Sequence, residues 1–285
     1  MSKEPLSFPH SDRPFLDPYL PDSPKTNKDK PFVTLTFATS LDSSLAIAPG
    51  VRTALSGPQS KAMTHYLRSR HDAILVGVGT AVVDNPGLNC RIQDGDGDGD
   101  SGEVSQPRPI IIDPSARWDI NEDTQILQLV RMGCGRAPFI LTGDVEPDAQ
   151  RRRVLEEHGG KYITLHTVSS PTGTTGTGKE TGSGSGLDWT TILQTIKNEG
   201  LNSVMVEGGS GVINTLLEPE SQGLVDSVIV TIAPTWLGQG GVVVSPNRRF
   251  DPGGNAIPAS RLGNVKWYPF GEDVVLCGRI SPFPS

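Results

Sequence analysis

Short apolar runs rich in β-branched residues, each closed by a turn, set the strongest limit on how this chain can fold. "FVTLTFA" (32–38), "AILVGVG" (73–79), "RPIIID" (108–113), "PFILTG", "KYITLH", "SVMVE", "DSVIVTIAP" (226–234) and "VVLCGRI" read as strands. Several are apolar at successive positions instead of alternating, so both faces of the sheet must be covered. Between them lie helical patterns. "GPQSKAMTHYLRSR" (57–70) has Ser56 placed as N-cap and Pro58 in the first turn. "WTTILQTIKNEG" (189–200) ends on glycine, and "GVINTLLE" follows "SVMVE" directly. Strands alternating with helices predict an α/β domain around a largely parallel sheet.

Three stretches fall outside this rhythm. Residues 1–30 are rich in Pro, Ser, Asp and Lys and read as a mostly disordered arm, with Phe15, Leu16 and Tyr19 as docking points. "DGDGDGDSGEVSQ" (94–106) is acidic and glycine-rich. Its spacing can present carboxylates to calcium, but it lacks the later Glu and flanking helices of an EF-hand, and reads as a solvated loop expansion. "PTGTTGTGKETGSGSG" (171–186) is a Gly/Thr/Ser insert that cannot build a core. Both inserts fall between elements of one pattern, and no unit repeats. Residues 31–285 are therefore read as a single domain.

The totals exclude some partners. A net charge of −7 over 285 residues argues against a nucleic-acid or membrane-surface binder, though not against a local basic pocket for a phosphate. Cys90, Cys134 and Cys277 are scattered without CxxC, which excludes a zinc ribbon and argues against a disulfide framework. No metal site is expected. The N-terminus has no apolar signal core and no run approaches membrane-spanning length, so the expectation is a soluble, cytoplasmic protein.

Two strand ends are glycine-rich: "VGVGTAVVDNPGLNCR" (76–91) and "VMVEGGSGVIN" (204–214). Ligands of open α/β sheets bind where strands end. Both loops let backbone N–H groups approach a phosphate at a helix N-terminus. Both also fit a plain tight turn. GVGTAV and GSGVIN each lack the third glycine of the Rossmann fingerprint, and there is no Walker lysine.

The neighbouring polar residues sharpen the choice. Thr80 and Asp84 are four apart and share a helical face, and Asn85-Pro86 then stops that turn. Arg68 and Arg91 can clamp a phosphate bidentately, although Arg68 alone also suits a helix end. Glu207 closes a buried strand, where a carboxylate is costly unless paired or functional.

No Ser/His/Asp set is legible. His10, His65, His71, His158 and His166 lack ligand spacing and read as surface or core-edge residues. The zinc nucleobase deaminase signature is absent. Phosphate loops without a nucleophile, metal or base cluster point to chemistry carried by a cofactor, and hydride transfer fits.

Taken in order, "TFATSLDSSLA", "LSGPQSKAMTHYLRSRHDAILVGVGTAVVDNPGLNCR", "RPIIIDPSARW", "VMVEGGSGVINTLLE" and "LVDSVIVTIAPTWLGQGG" resemble the riboflavin-biosynthesis pyrimidine reductases. These correspond to the C-terminal domain of the bacterial bifunctional deaminase-reductase. Without the deaminase signature, the chain resembles the monofunctional reductases of fungal or archaeal type, and its inserts lean fungal. The resemblance implies a dihydrofolate-reductase-like, three-layer α/β/α fold with a mostly parallel central sheet, and a homodimer. It implies NADPH-dependent reduction of 2,5-diamino-6-ribosylamino-4(3H)-pyrimidinone 5′-phosphate to the ribitylamino compound. Hydride would add to C1′ of the ring-opened sugar imine while nitrogen takes a proton. It further implies that Ala38, Thr80, Asp84, Ile163 and the loop Gly208, Gly209, Ser210, Gly211 and Val212 hold the cofactor. Substrate positions are Asp42, Arg68, Leu88, Arg91 and Glu207, with Glu207 and Lys61 nearest the chemistry. One departure is visible: bacterial relatives often carry a tryptophan between Ser44 and Ser56, where this chain reads "LAIAPGVRTALS". The rival readings are a pterin reductase of the same fold and a silent nucleotide-binding module.

Overall fold

The computed structural model describes residues 4–21, 29–93, 104–165, 187–257 and 260–281. Its frame is one nine-stranded sheet. In chain order the strands are β1 (Phe32–Thr39), β2 (Ser44–Ala46), β3 (Ala73–Gly77), β4 (Arg108–Ile112), β5 (Phe139–Thr142), β6 (Lys161–Thr164), β7 (Ser203–Glu207), β8 (Ser227–Ile232), β9 (Val242–Val243), β10 (Arg249–Phe250), β11 (Ala256–Ile257), β12 (Arg261–Phe270) and β13 (Asp273–Ser281). The sheet runs β12-β13-β8-β1-β7-β3-β4-β5-β6, while β2 pairs with β9 and β10 with β11 as separate ribbons. From β8 to β6 every pairing is parallel, and the β12–β13 hairpin adds an antiparallel edge.

Among the described residues six α-helices cover the sheet: α1 (Pro58–Ser69), α2 (Val78–Asp84), α3 (Gln125–Arg131), α4 (Ala149–Glu157), α5 (Trp189–Asn198) and α6 (Ser210–Leu217). Alternation along β7 divides the layers. Val204 and Val206 join a core with Trp189, Ile192 and Leu193 of α5 and Ile213 and Leu216 of α6. Met205 faces the opposite way, toward Met63, Tyr66 and Leu67 of α1. Ile74 and Val76 of β3 share that side with Ile126 and Leu127 of α3 and Leu155 of α4. The three-layer α/β/α expectation is met. Each fully buried Leu, Ile or Val in these layers contributes about 1.5–3 kcal/mol of transfer free energy.

Several local expectations are corrected. The run 73–79 is not all strand: it stops at Gly77, and Val78–Asp84 forms α2. Ser56 does not cap α1. Gly57 is the N-cap and has no side chain to offer, so Asp273 of β13 accepts the Gly57 N–H instead, at 2.8 Å. A partner more than two hundred residues away is invisible to local capping rules.

Residues 4–21 are not a disordered arm. They form two short 3₁₀ turns, His10–Asp12 and Asp17–Tyr19. Phe8, Leu16, Tyr19 and Leu20 are buried with α1 and the β12–β13 hairpin. Phe8 stacks on Tyr66 with ring centroids 4.9 Å apart, and Phe15 on Tyr268 at 4.1 Å. Phe15, Leu16 and Tyr19 dock as expected, while Phe8 and Leu20, set among prolines without helical or strand periodicity, left no signal. The remainder of the arm (1–3 and 22–28), residues 94–103 of the acidic insert and all of 171–186 lie outside the described residues.

Candidate active site

The parallel strands β1, β7, β3 and β4 all end at one edge, and a cavity of about 1000 Å³ opens there. That is the upper end of the range for single small-molecule sites, roughly 300–1,000 Å³.

Two turns make one wall. Gly208 and Gly209 take φ of +84° and +80° before α6 begins at Ser210. Side-chain-bearing residues rarely adopt that conformation, so glycine is required twice in succession. A Cβ on Gly209 would lie 3.3 Å from Thr80 Oγ1, and one on Gly77 would lie 3.2 Å from Val212 Cγ2. The β3–α2 and β7–α6 turns thus touch, and they leave bare backbone toward the cavity. Thr80 and Asp84 stand one turn apart on α2 and both line it, as do Ser210, Gly211, Val212 and Ala38. The helix ends at Asn85, which is left-handed at φ +40°.

The facing wall is cationic. Lys61, His65 and Arg68 project from successive turns of α1, and Arg91 lies in the connection from α2 to β4. Arg68 is committed: its Nε donates to Glu207 Oε1 at 2.9 Å, its Nη2 to Oε2 at 2.6 Å, and its Nη1 to the Asn89 carbonyl at 3.0 Å. Arg68 lines the cavity with three of its five N–H donors already engaged. Arg68 serves the carboxylate, and Arg52 and Arg91 are the other arginines that line the cavity. This also answers why Glu207 tolerates a strand end with 17% exposure: its partner is fixed on an adjacent helix.

Arg91 is itself held. Its Nη1 donates to the Glu4 carbonyl at 2.9 Å, and its Nη2 lies 3.1 Å from His65 Nε2. The Arg91 backbone N–H approaches His65 Nδ1 at 3.2 Å. A neutral imidazole accepts at one nitrogen only, and the charged guanidinium is the stronger donor, which favours acceptance at Nε2. Burial first, then the charges of Arg68, Arg91 and Lys61, push the His65 pKa down to about 2. His65 is therefore neutral at physiological pH and part of the cavity, not the surface or core-edge residue expected. The signal was present, since 61, 65 and 68 share one helical face.

Leu88 also lines the cavity, left-handed at φ +50° and buried. Residues 48–56, the stretch read as departing from bacterial relatives, line the cavity and include one further cation, Arg52. Four cations (Arg52, Lys61, Arg68, Arg91) thus face two carboxylates (Asp84, Glu207) in a chain whose net charge is −7. Two expected residues stand elsewhere. Asp42 accepts from the backbone N–H of Leu237 at 3.2 Å and Gly238 at 2.7 Å, and from Ser40 Oγ, so it braces a loop. Ile163 lies on edge strand β6 against the α5-side core and does not line the cavity. Among the described residues no three His, Cys, Asp or Glu side chains gather as a metal site, and no helix is long and apolar enough to cross a membrane.

A mostly parallel sheet with an antiparallel hairpin at one edge, and a strand-end cavity between glycine turns and a charged helix, defines a dihydrofolate-reductase-like α/β protein. The chain belongs to the RibD C-terminal domain family, which matches residues 31–276. It is 40% identical over 270 residues to the 2,5-diamino-6-ribosylamino-4(3H)-pyrimidinone 5′-phosphate reductase of Debaryomyces hansenii, covering 94% of this chain and 96% of that one. It is 39% identical to the reductase of the same name from Eremothecium gossypii, covering 99% and 100%. The solved riboflavin biosynthesis reductase of Saccharomyces cerevisiae superposes with a TM-score of 0.70 at 34% identity, covering 94% of this chain and 99% of that chain. Acinetobacter baumannii RibD shares the fold, with a TM-score of 0.64 at 22% identity over 89% of this chain and 59% of that one.

Proposed function

We propose that this protein is an NADPH-dependent reductase. It converts 2,5-diamino-6-ribosylamino-4(3H)-pyrimidinone 5′-phosphate to the ribitylamino compound in riboflavin biosynthesis. One observation carries the reading: a single cavity joins a bare glycine turn to a cationic wall across the Arg68–Glu207 pair. Family membership and the names of relatives at 39–40% identity support it.

The turn fits a dinucleotide. Two left-handed glycines, with Thr80 Oγ1 beside the second, leave space where a side chain would block a pyrophosphate approaching the α6 N-terminus. Gly208, Gly209, Ser210, Gly211 and Val212, together with Thr80, Asp84 and Ala38, would hold the cofactor. When bound, NADPH supplies the hydride for C1′ of the sugar. The protein's own work is positioning. Glu207, its oxygens fixed by Arg68, keeps further lone pairs to accept from substrate N–H or O–H groups. Arg91 meets the 5′-phosphate, and Leu88 packs beside it. His65 is the neutral imidazole, not the imidazolium, at neutral pH and arginines do not release their protons, which leaves Lys61 as the cation on this wall that can pass a proton to the nitrogen. Asp42 and Ile163, outside the cavity, make no direct contact in this reading.

The partner is a small phosphorylated pyrimidine, and a second copy of the chain completes a homodimer. Edge strand β12 leaves Val265 and Trp267 exposed, at 40% and 60%, which suits a protein partner better than water. A cytoplasmic site follows from the biosynthetic role. The test is a fall in nicotinamide absorbance with the phosphorylated pyrimidine and none with dihydrofolate. A fall with dihydrofolate alone would favour the pterin reductase, and NADPH binding without turnover would favour the silent module.

A further inference from the structure

The family match starts at residue 31, yet Arg91, which lines the cationic wall of the cavity, is held by a residue before it. Leu6 runs parallel to Ile92 as an added bridge: the Leu6 N–H donates to the Arg91 carbonyl at 2.9 Å, and the Gln93 N–H donates to the Leu6 carbonyl at 3.0 Å. Two residues back, the Glu4 carbonyl accepts from Arg91 Nη1. The segment then buries Phe8 and Leu16, lays Arg13 over the Tyr66 ring at 5.1 Å, and accepts from Arg279 at the Pro18 carbonyl, 3.0 Å away. Tyr66 is on α1, next to His65.

We propose that residues 4–21 form a positioning strap for the phosphate end of the cavity, in which the Glu4 carbonyl and His65 set the Arg91 guanidinium before the phosphomonoester arrives. The proposal rests on the cavity reading above. An arginine free to sample its rotamers must lose that freedom on binding, whereas one already held loses little. His65 suits the task because it is neutral there: it accepts from the guanidinium instead of repelling it. Arg91 is therefore a ligand group, and Glu4 and His65 are positioning residues that need not touch the substrate.

The test removes residues 1–5, which takes the Glu4 carbonyl away and keeps the Leu6, Phe8 and Leu16 anchors. A second variant, Leu6→Pro, deletes the N–H bonded to the Arg91 carbonyl together with the Leu6 side chain. KM for the phosphorylated pyrimidine should rise about three- to tenfold, the effect of freeing one side chain, while kcat and NADPH affinity stay within about twofold. The dephosphorylated pyrimidine should show no such rise. A merely structural strap would lower kcat and harm both substrates alike, and that pattern overturns the proposal. Ribose 5-phosphate binding, measured without cofactor, separates this failure from failure of the cavity reading. If the wild type does not turn over but binds ribose 5-phosphate more tightly than both variants, the strap stands and the reductase reading falls. Equal affinity in all three proteins overturns the strap.

Discussion

Arg68 and Glu207 meet as a two-point ion pair, 2.9 and 2.6 Å long, with side chains only 13% and 17% exposed. One comes from α1 and the other from the end of β7, so the pair ties the cationic wall to the glycine turn. Any geometry imposed on Glu207 by Arg68 passes one residue along the chain to Gly208 and the cofactor loop.

Glu207→Gln keeps the size and one acceptor but removes the charge. Turnover should drop about 100-fold, the scale expected when a positioned group is displaced at the reacting centre, with NADPH affinity nearly unchanged. Stability should fall by about 1–3 kcal/mol, because the Arg68 guanidinium loses its charged partner. Steady-state kinetics and urea unfolding read the two effects separately. Equal losses in turnover and cofactor affinity would move Glu207 to the cofactor side.

Asp84→Ala should weaken NADPH binding about tenfold, the worth of roughly one polar contact to a charged or hydroxyl group. The substrate KM at saturating NADPH should hold. Fluorescence titration of NADPH checks this, and unchanged affinity removes Asp84 from the cofactor contacts.

Acid should destabilise the fold through two buried histidines. His65 is pushed down to about 2 and His71 to about 4, both mainly by burial, from the ordinary 6.5. His71 Nδ1 donates to the Leu67 carbonyl at 2.7 Å and its Nε2 accepts from Thr34 Oγ1 at 2.8 Å, an arrangement only the neutral ring completes. Both folded values lie below the unfolded one. Their stabilisation is therefore complete above pH 6.5 and declines as pH falls toward about 4 for His71 and about 2 for His65. Between pH 7 and pH 5 each should cost about 2 kcal/mol. Urea midpoints at the two pH values measure the sum, and a His71→Gln variant should lose about half of the difference.

Asp273→Ala should remove about 1–2 kcal/mol, since it deletes the only side chain at the α1 N-cap among the described contacts and leaves the Gly57 N–H without its acceptor. Because α1 carries Lys61, His65 and Arg68, the substrate KM should rise as well. Thermal unfolding with parallel kinetics tests both. A stability loss with unaltered KM would show that α1 keeps its position without this cap.

The sequence revealed most of what repeats locally. β-Branched runs marked the parallel sheet, and the glycines of 76–91 and 204–214 marked the cavity edge, because strand ends and left-handed turns leave compositional traces. Long-range pairings left none. Nothing near Gly57 signals Asp273, nothing near Arg68 signals Glu207, and nothing in a Pro-rich N-terminus signals that Glu4 reaches Arg91. His65 was legible through its helical spacing to Lys61 and Arg68, but became meaningful only once burial among three cations was seen. Asp42 matched a motif and proved to brace a loop, since motif position does not fix side-chain direction.

The central claim is that one cavity brings a hydride donor and the phosphorylated sugar together. Transfer of label from NADPH deuterated at the nicotinamide C4 tests it most directly, with the product examined by mass spectrometry and NMR. The account predicts deuterium at C1′ of the ribitylamino product, present with wild type and strongly reduced with Glu207→Gln. Product formed without label at C1′, or no product from a folded protein that binds both ligands, would contradict it.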